Sequence, residues 1–296
     1  MRTTLLPLLT VAVLASSSGA NAFDFNWEGS HAAGLHERYV PAVSNPLFNE
    51  TPYITTEVRA VYLHNKIPSD FLSRGGILNV VAAEIRVALN DRLGIIASKD
   101  GYVDANFKSV LRDDSAFVNL SLGLKYALLS DPATNSILTI GAEYEPPTGN
   151  LRTGNIHMQG RGGGFMNLFA TGARAFGKLG VQGSAGVNLA LDGDNDSSML
   201  HYSAHVDYEV LPGFYPLLEF NGFTTIDEGT RTPLDFEGVD LVNFGSTESG
   251  TVLSAAAGFR YHFNRHLQVG AAYERPVSGR KDILDERYTV DLIIRY

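Results

Sequence analysis

His201, Ser203, His205 and Asp207 fall at every second position of one segment. They are the residue types of a Ser-His-Asp hydrolase, with a hydroxyl nucleophile, an imidazole base and a carboxylate to orient it. On a strand this spacing puts all four on one face. Neighbours on that face stand about 6.6 Å apart, beyond hydrogen-bond reach unless a second strand contributes. Asp192-Gly193-Asp194-Asn195-Asp196 resembles the start of a calcium loop. Where such a loop needs glycine sixth and glutamate twelfth, this chain has Ser197 and Ser203, so a solvated turn is expected. A third set is larger and more dispersed: Glu57, Arg59, Glu84, Arg86, Lys125, Glu143, Glu145, Arg174, His205, Asp207, Glu209, Glu219, Arg260, His262, Glu274, Asp291 and Arg295. Its two signs are comparable in number, which suits a polar interior or pore lining better than one catalytic centre. No catalytic, cofactor or metal set is expected.

The elements that must position these residues have a period of two. In 116–129, Val118, Leu120, Leu122, Leu124, Tyr126 and Leu128 alternate with Asn119, Ser121, Gly123 and Lys125. Successive side chains of a strand point to opposite faces, so the segment has one apolar and one polar wall. The same pattern recurs in 76–90, 179–192, 199–211 and 251–263. These runs exceed the usual strand of 5 to 6 residues and approach the 9 to 11 that cross a bilayer at a tilt. Their apolar faces carry almost no charge, as expected where a mid-membrane Lys or Arg would cost about 2 to 4 kcal/mol.

Twelve strands are expected, near 52–66, 76–90, 93–98, 116–129, 136–145, 164–176, 179–192, 199–211, 215–225, 250–263, 267–275 and 286–296. The third is short and has Lys99 to Val103 as a possible continuation. In the sixth, Arg174 shares a face with Met166 and Leu168 and is assigned to the interior. Tight turns at 91–92, 130–135, 177–178, 211–214 and 264–266 alternate with longer loops that include 99–115, 146–163 and 226–249. The fold expected is all-β, a transmembrane antiparallel up-and-down barrel of about twelve strands.

Of 296 residues, 23 are Lys or Arg, 32 are Asp or Glu and none is Cys, giving a net charge of -9. An isoelectric point near 5.3 disfavours nucleic acid as a partner. The missing cysteines exclude disulfides, zinc-thiolate sites and thiol catalysis. Mean hydropathy of -0.02 resembles that of a soluble protein, because averaging mixes the two faces of each strand. Residues 1–22 read as a secretory signal: Arg2, an apolar run from Leu5 to Ala15, and Ala20-Asn21-Ala22 as a cleavage site before Phe23. Residues 23–50 lack alternation and read as a periplasmic tail or a segment tucked into the lumen; 51–296 form the barrel.

The chain ends with Tyr288, Val290, Leu292, Ile294 and Tyr296 alternating with Thr289, Asp291, Ile293 and Arg295. This resembles the terminal strand of bacterial outer-membrane barrels, and the resemblance implies recognition by the barrel-assembly machinery. Ile293 departs from the pattern, being apolar on the polar parity. Leu120-Ser121-Leu122-Gly123-Leu124-Lys125-Tyr126, with Gly141-Ala142-Glu143-Tyr144-Glu145-Pro146-Pro147-Thr148-Gly149, is similar to the strand pair and Pro-Thr-Gly loop of the transporters linked to the meta pathway of phenol degradation. That resemblance implies an outer-membrane barrel and assigns no functional residue.

Three functional readings follow. The first is a channel or uptake protein in the outer-membrane bilayer, passing small-molecule solutes through a mixed-charge lumen. The second is a hydrolase using Ser203 and His205. It resembles the outer-membrane phospholipases in strand number, although their His-x-Ser-Asn-Gly type of motif is absent. The third is a structural barrel with a plugged lumen. The acidic loop 226–249 folds inward or covers the rim, and loop 146–163, with Arg152, His157, Arg161 and no acid, is placed to attract either that loop or the anionic outer surface.

Overall fold

Burial alternates residue by residue along the expected strands, and the two faces meet different surroundings. A computed structural model of the protein describes His36 and residues 38–296. The expected signal sequence, its cleavage point and the start of the 23–50 segment lie outside the described residues. The strands are β1 (Glu57–Ile67), β2 (Gly76–Ala88), β3 (Leu93–Phe107), β4 (Asp114–Phe117), β5 (Leu122–Asp131), β6 (Ser136–Glu145), β7 (Arg152–Thr153), β8 (Ile156–His157), β9 (Phe165–Phe176) and β10 (Leu179–Ala190). They continue with β11 (Ser198–Tyr208), β12 (Phe214–Asp227), β13 (Thr251–His262), β14 (Leu267–Pro276) and β15 (Glu286–Arg295).

All but β7 and β8 belong to one antiparallel sheet, which closes because β1 pairs with both β2 and β15 while β2 pairs with β3. β4 and β5 both pair with β3 and are two halves of one wall strand. The wall therefore has twelve strands around it. Closure satisfies every edge, the condition for a sheet to cross a bilayer.

Two boundaries differ from expectation. β3 runs through to Phe107, past the interval 99–103 where its apolar alternation lapses. Cross-strand pairing supplies what the side-chain pattern withholds, and a register shift between Ala83 and Ile85 accommodates one extra residue on β3. The fourth wall strand is broken at 118–121, where Val118 and Asn119 are buried instead of alternating. The 146–149 loop closes this break: Leu120 N donates to Thr148 Oγ1 at 2.9 Å and Gly149 N to Asn119 Oδ1 at 2.7 Å. Segments 120–126 and 141–149 thus touch in space through Leu120 and Thr148.

Outward-facing Val81, Leu124, Ile140, Val206, Leu218 and Phe220 form an exposed apolar belt. Phe176, Tyr208, Phe263 and Tyr296 ring it at the short-turn end, and Tyr102, Phe117 and Tyr144 lie toward the long-loop end, the aromatic girdles of a membrane-spanning barrel. Tyr288, Val290, Leu292, Ile294 and Tyr296 are all on this outer face. Leu218 is flanked across the strands by Val206 and Ala257. Leu218→Arg is expected to cost about 2 to 4 kcal/mol of barrel stability, read as a lower denaturant midpoint in lipid. An unchanged midpoint would place Leu218 outside the bilayer core.

Candidate functional site: a polar lumen closed by an internal hairpin

The inward parity brings charged groups from distant strands to one level. Asp291 on β15 is the hub. Its carboxylate accepts from Arg59 Nε and Nη2 at 2.9 and 2.5 Å, and from Arg260 Nη1 and Nη2, each at 2.8 Å. Gly270 lies between Arg260 and Asp291 in the register. A Cβ there would stand 2.8 Å from Asp291 Oδ1 and 3.0 Å from Arg260 Nη2, so glycine keeps the path between β13 and β15 clear. On the adjoining wall Glu84 meets both Arg59, at 3.4 Å, and Arg86, at 2.9 Å.

Residues 38–56 fill the space these groups surround. They run as a hairpin inside the barrel, and almost every residue is buried. The segment enters at the short-turn end, where His36 contacts Ser130 at 3.1 Å and Arg38 pairs with Asp207. Gly180 makes room for that pair, since a Cβ would come within 2.9 Å of Arg38 Nε. Further in, the wall arginines grip the backbone. Arg260 Nε donates to Pro41 O at 2.8 Å and Arg59 Nη2 to Ala42 O at 2.9 Å. Glu219 accepts from Val43 N at 2.8 Å and Ser44 N at 2.6 Å. The hairpin turns at Asn45, where Asn49 N donates back to Asn45 O, and Phe48 stacks on His201 with ring centroids 4.4 Å apart. On the return, Glu50 meets Arg86 and Lys125, and Thr139 Oγ1 donates to Pro52 O at 2.6 Å. Of the two placements open for the 23–50 segment, its described part takes the lumenal one.

Glu84, Arg86, Lys125, Glu143, His205, Asp207, Glu219, Arg260 and Asp291 are buried within the lumen. Glu209, His262 and Arg295 are half-buried at the short-turn rim. There His262 packs on Tyr215 and Arg295 lies over the Tyr39 ring. Arg174 requires a correction: it is exposed on the outer face at the end of β9, its guanidinium 5.0 Å from the centre of the Phe176 ring. Position explains it. At the interfacial end of a strand the outer face is wet and tolerates a cation that mid-membrane would exclude. The inward parity of β9 is that of Phe165, Asn167, Phe169 and Thr171.

Besides Arg38 of the hairpin, two cations on the wall were missed. Arg287 donates to both oxygens of Asp240 at 2.8 Å; it shares the parity of Thr289 and Asp291, so alternation alone would have found it. Lys99, 2.7 Å from Glu145, sits where the third strand was expected to end.

The hydrolase constellation does not assemble. His205 Nδ1 lies 2.7 Å from Glu219 and Nε2 3.2 Å from Asp207, so both ring nitrogens face carboxylates. Ser203 Oγ donates to Asn221 Oδ1 at 2.8 Å and accepts from Asn45. The nucleophile and base of that reading therefore have separate partners.

The long-loop end is also covered. Val239, Val242 and Phe244 of loop 228–250 are buried with Phe71, Leu63, Leu78 and Ile283, so the acidic loop folds inward. It meets loop 146–164, though not by the expected attraction of basic side chains to acids. Arg231 Nη1 reaches His157 O at 2.7 Å, and Asn243 N donates to Met158 O. Glu237 anchors the cap, accepting from Ser197 Oγ, Phe244 N and Ser246 N at 2.7, 2.9 and 2.7 Å. In the acidic turn, Asp192 accepts from Asn195, and Asp196 from Arg161 N.

Burial pushes Asp196 and Asp282, both near Glu237, up to about 6. A carboxyl raised in the folded cap favours the closed form when protonated, so this stabilisation is present at low pH and fades as pH rises through about 6. Amide exchange across 228–250, corrected for intrinsic rate, is expected to be slower at pH 5 than at pH 7. Equal protection would remove these acids from the control of the cap.

No protein-family model matches the chain, and none of the curated proteins does. Solved structures do. The COG4313 outer membrane channel from Pseudomonas putida F1 aligns with 86% of this chain and 100% of its own, at 15% identity and a TM-score of 0.59. The NanC porin aligns with 81% of this chain and 100% of its own, at 9% identity and a TM-score of 0.50. The likeness is one of fold. It places the chain's architecture among outer-membrane β-barrels.

Proposed function

We propose that the protein is an outer-membrane channel for small polar solutes, closed by its own N-terminal hairpin and opened when that hairpin leaves the lumen. The observation that carries this reading is the chemistry of the inner wall. A barrel serving only as a scaffold can fill its centre with apolar side chains. Here the mid-barrel wall presents Arg59, Arg86, Lys125, Glu219, Arg260 and Asp291, and the hairpin is held largely by hydrogen bonds that water or a polar solute can replace. The channel and porin folds matched above are consistent with it. In this reading the chain is exported, its signal is cleaved before Phe23, and the assembly machinery recognises the terminal strand from Tyr288 to Tyr296.

Planar-bilayer recording of the purified protein tests it. Brief, infrequent openings are expected from the wild type, and longer ones from Arg38→Ala, which unties the hairpin at its entrance. If neither conducts, the channel reading is wrong and the plugged structural barrel takes its place.

A further inference from the structure

We infer that Arg86 and Lys125 form a carboxylate-binding site on the inner wall, occupied by the hairpin's own Glu50 in the closed state and by small organic carboxylates when the channel is open. The inference rests on the channel reading and adds a substrate class to it.

Glu50 is held as a bound carboxylate would be. Arg86 grips it with two nitrogens, Nε to Oε1 at 2.8 Å and Nη2 to Oε2 at 2.5 Å, and Lys125 Nζ donates to Oε1 at 2.6 Å. Such a fork is selective for the planar, two-oxygen geometry of a carboxylate. Both wall cations are buried, at 3% and 1% exposure. The other hydrogen bond of Lys125 also runs to the hairpin, to Thr51 O at 2.9 Å. Withdrawal of the hairpin therefore takes away both.

Charge balance points the same way. The continuous network of ion pairs that includes Glu50 contains four wall cations, Arg59, Arg86, Lys125 and Arg260, against three wall acids, Glu57, Glu84 and Asp291; Glu219 lies outside it, paired with His205. Glu143, on the strand beside Lys125, is turned to Ser98 and Ser121. Glu50 is thus the fourth acid, and without it the network has one cation in excess. Arg86 keeps Glu57 at 3.1 Å and Glu84 at 2.9 Å, which hold its guanidinium in place. Lys125 supplies the uncompensated charge. An entering carboxylate restores the balance that Glu50 provides, whereas a neutral solute of the same size does not.

Two measurements on the full-length chain test this. In the first, Glu50→Ala lowers the thermal unfolding midpoint in detergent, and millimolar acetate restores it while acetamide does not. Adding Lys125→Met abolishes the acetate effect. In the second, liposomes carrying Glu50→Ala take up gluconate about tenfold faster than sorbitol, as a charge-lined constriction favours its counter-ion, and Lys125→Met brings the ratio to about one. Should Glu50→Ala fail to assemble, the near-isosteric Glu50→Gln serves in the uptake assay. Equal effects of acetate and acetamide, or a gluconate preference that survives Lys125→Met, overturn the site. Equal uptake of gluconate and sorbitol overturns it too, yet leaves the channel intact; uptake of neither overturns the channel itself.

Discussion

Asp291→Ala is expected to be the most destabilising single substitution in the lumen, at about 3 to 5 kcal/mol. Its carboxylate is shared by two arginines with side chains that are 2% exposed or less. Removing it leaves two like charges side by side, out of water, with Glu84 the other acid in contact with Arg59. The same guanidiniums hold the carbonyls of Pro41 and Ala42, so their recoil also loosens the hairpin. Denaturant titration in detergent micelles should show a large fall in midpoint, and Asp291→Asn, which keeps an acceptor, a smaller one. A midpoint within error of the wild type for Asp291→Ala would mean that water already reaches this cluster.

The second large effect concerns gating. Because the chain has no cysteine, a single engineered pair can be oxidised without competition. Ser44 Oγ accepts from Asn221 Nδ2 at 2.9 Å, which brings the hairpin near its tip beside the wall at β12. In Ser44→Cys/Asn221→Cys, oxidation is expected to reduce bilayer conductance to the protein-free level and reductant to restore it, while each single variant ignores both treatments. Conductance that persists in the fully cross-linked protein would mean that solute passes without displacement of the hairpin.

The wall was legible in the sequence because each strand faces two solvents. Lipid excludes charge from one parity and the lumen requires polarity on the other, so Leu124 beside Lys125, or Leu292 beside Asp291, announces both faces. Legibility failed where that contrast weakens. At Arg174 the membrane interface is wet on either side. At Val118 and Asn119 a loop replaces the neighbouring strand, and the parity lapses. The hairpin was harder to read. Its grip on the wall is largely through the backbone at Pro41, Ala42, Val43 and Thr51, and a carbonyl leaves no signature in residue type. Nor does a sequence say which acid meets which base: Arg59 and Asp291 are 232 positions apart, and barrel closure makes them neighbours. The Ser203 and His205 pattern was real as spacing, but Glu219 from the adjacent strand occupies the ring nitrogen a triad would need.

The seam between β1 and β15 also constrains the order of events in biogenesis. The hairpin is continuous with β1, the first wall strand exported, and β1 cannot complete its pairing until β15, the last, arrives. Joining ends so far apart is the slowest kind of contact to form, since the whole intervening chain must be organised first. If the hairpin is seated while the sheet is still open, the wall curls around a core already in place, and Arg59 and Asp291 fasten the final joint over it. The protein would then be born shut, and its first opening would be an event separate from folding.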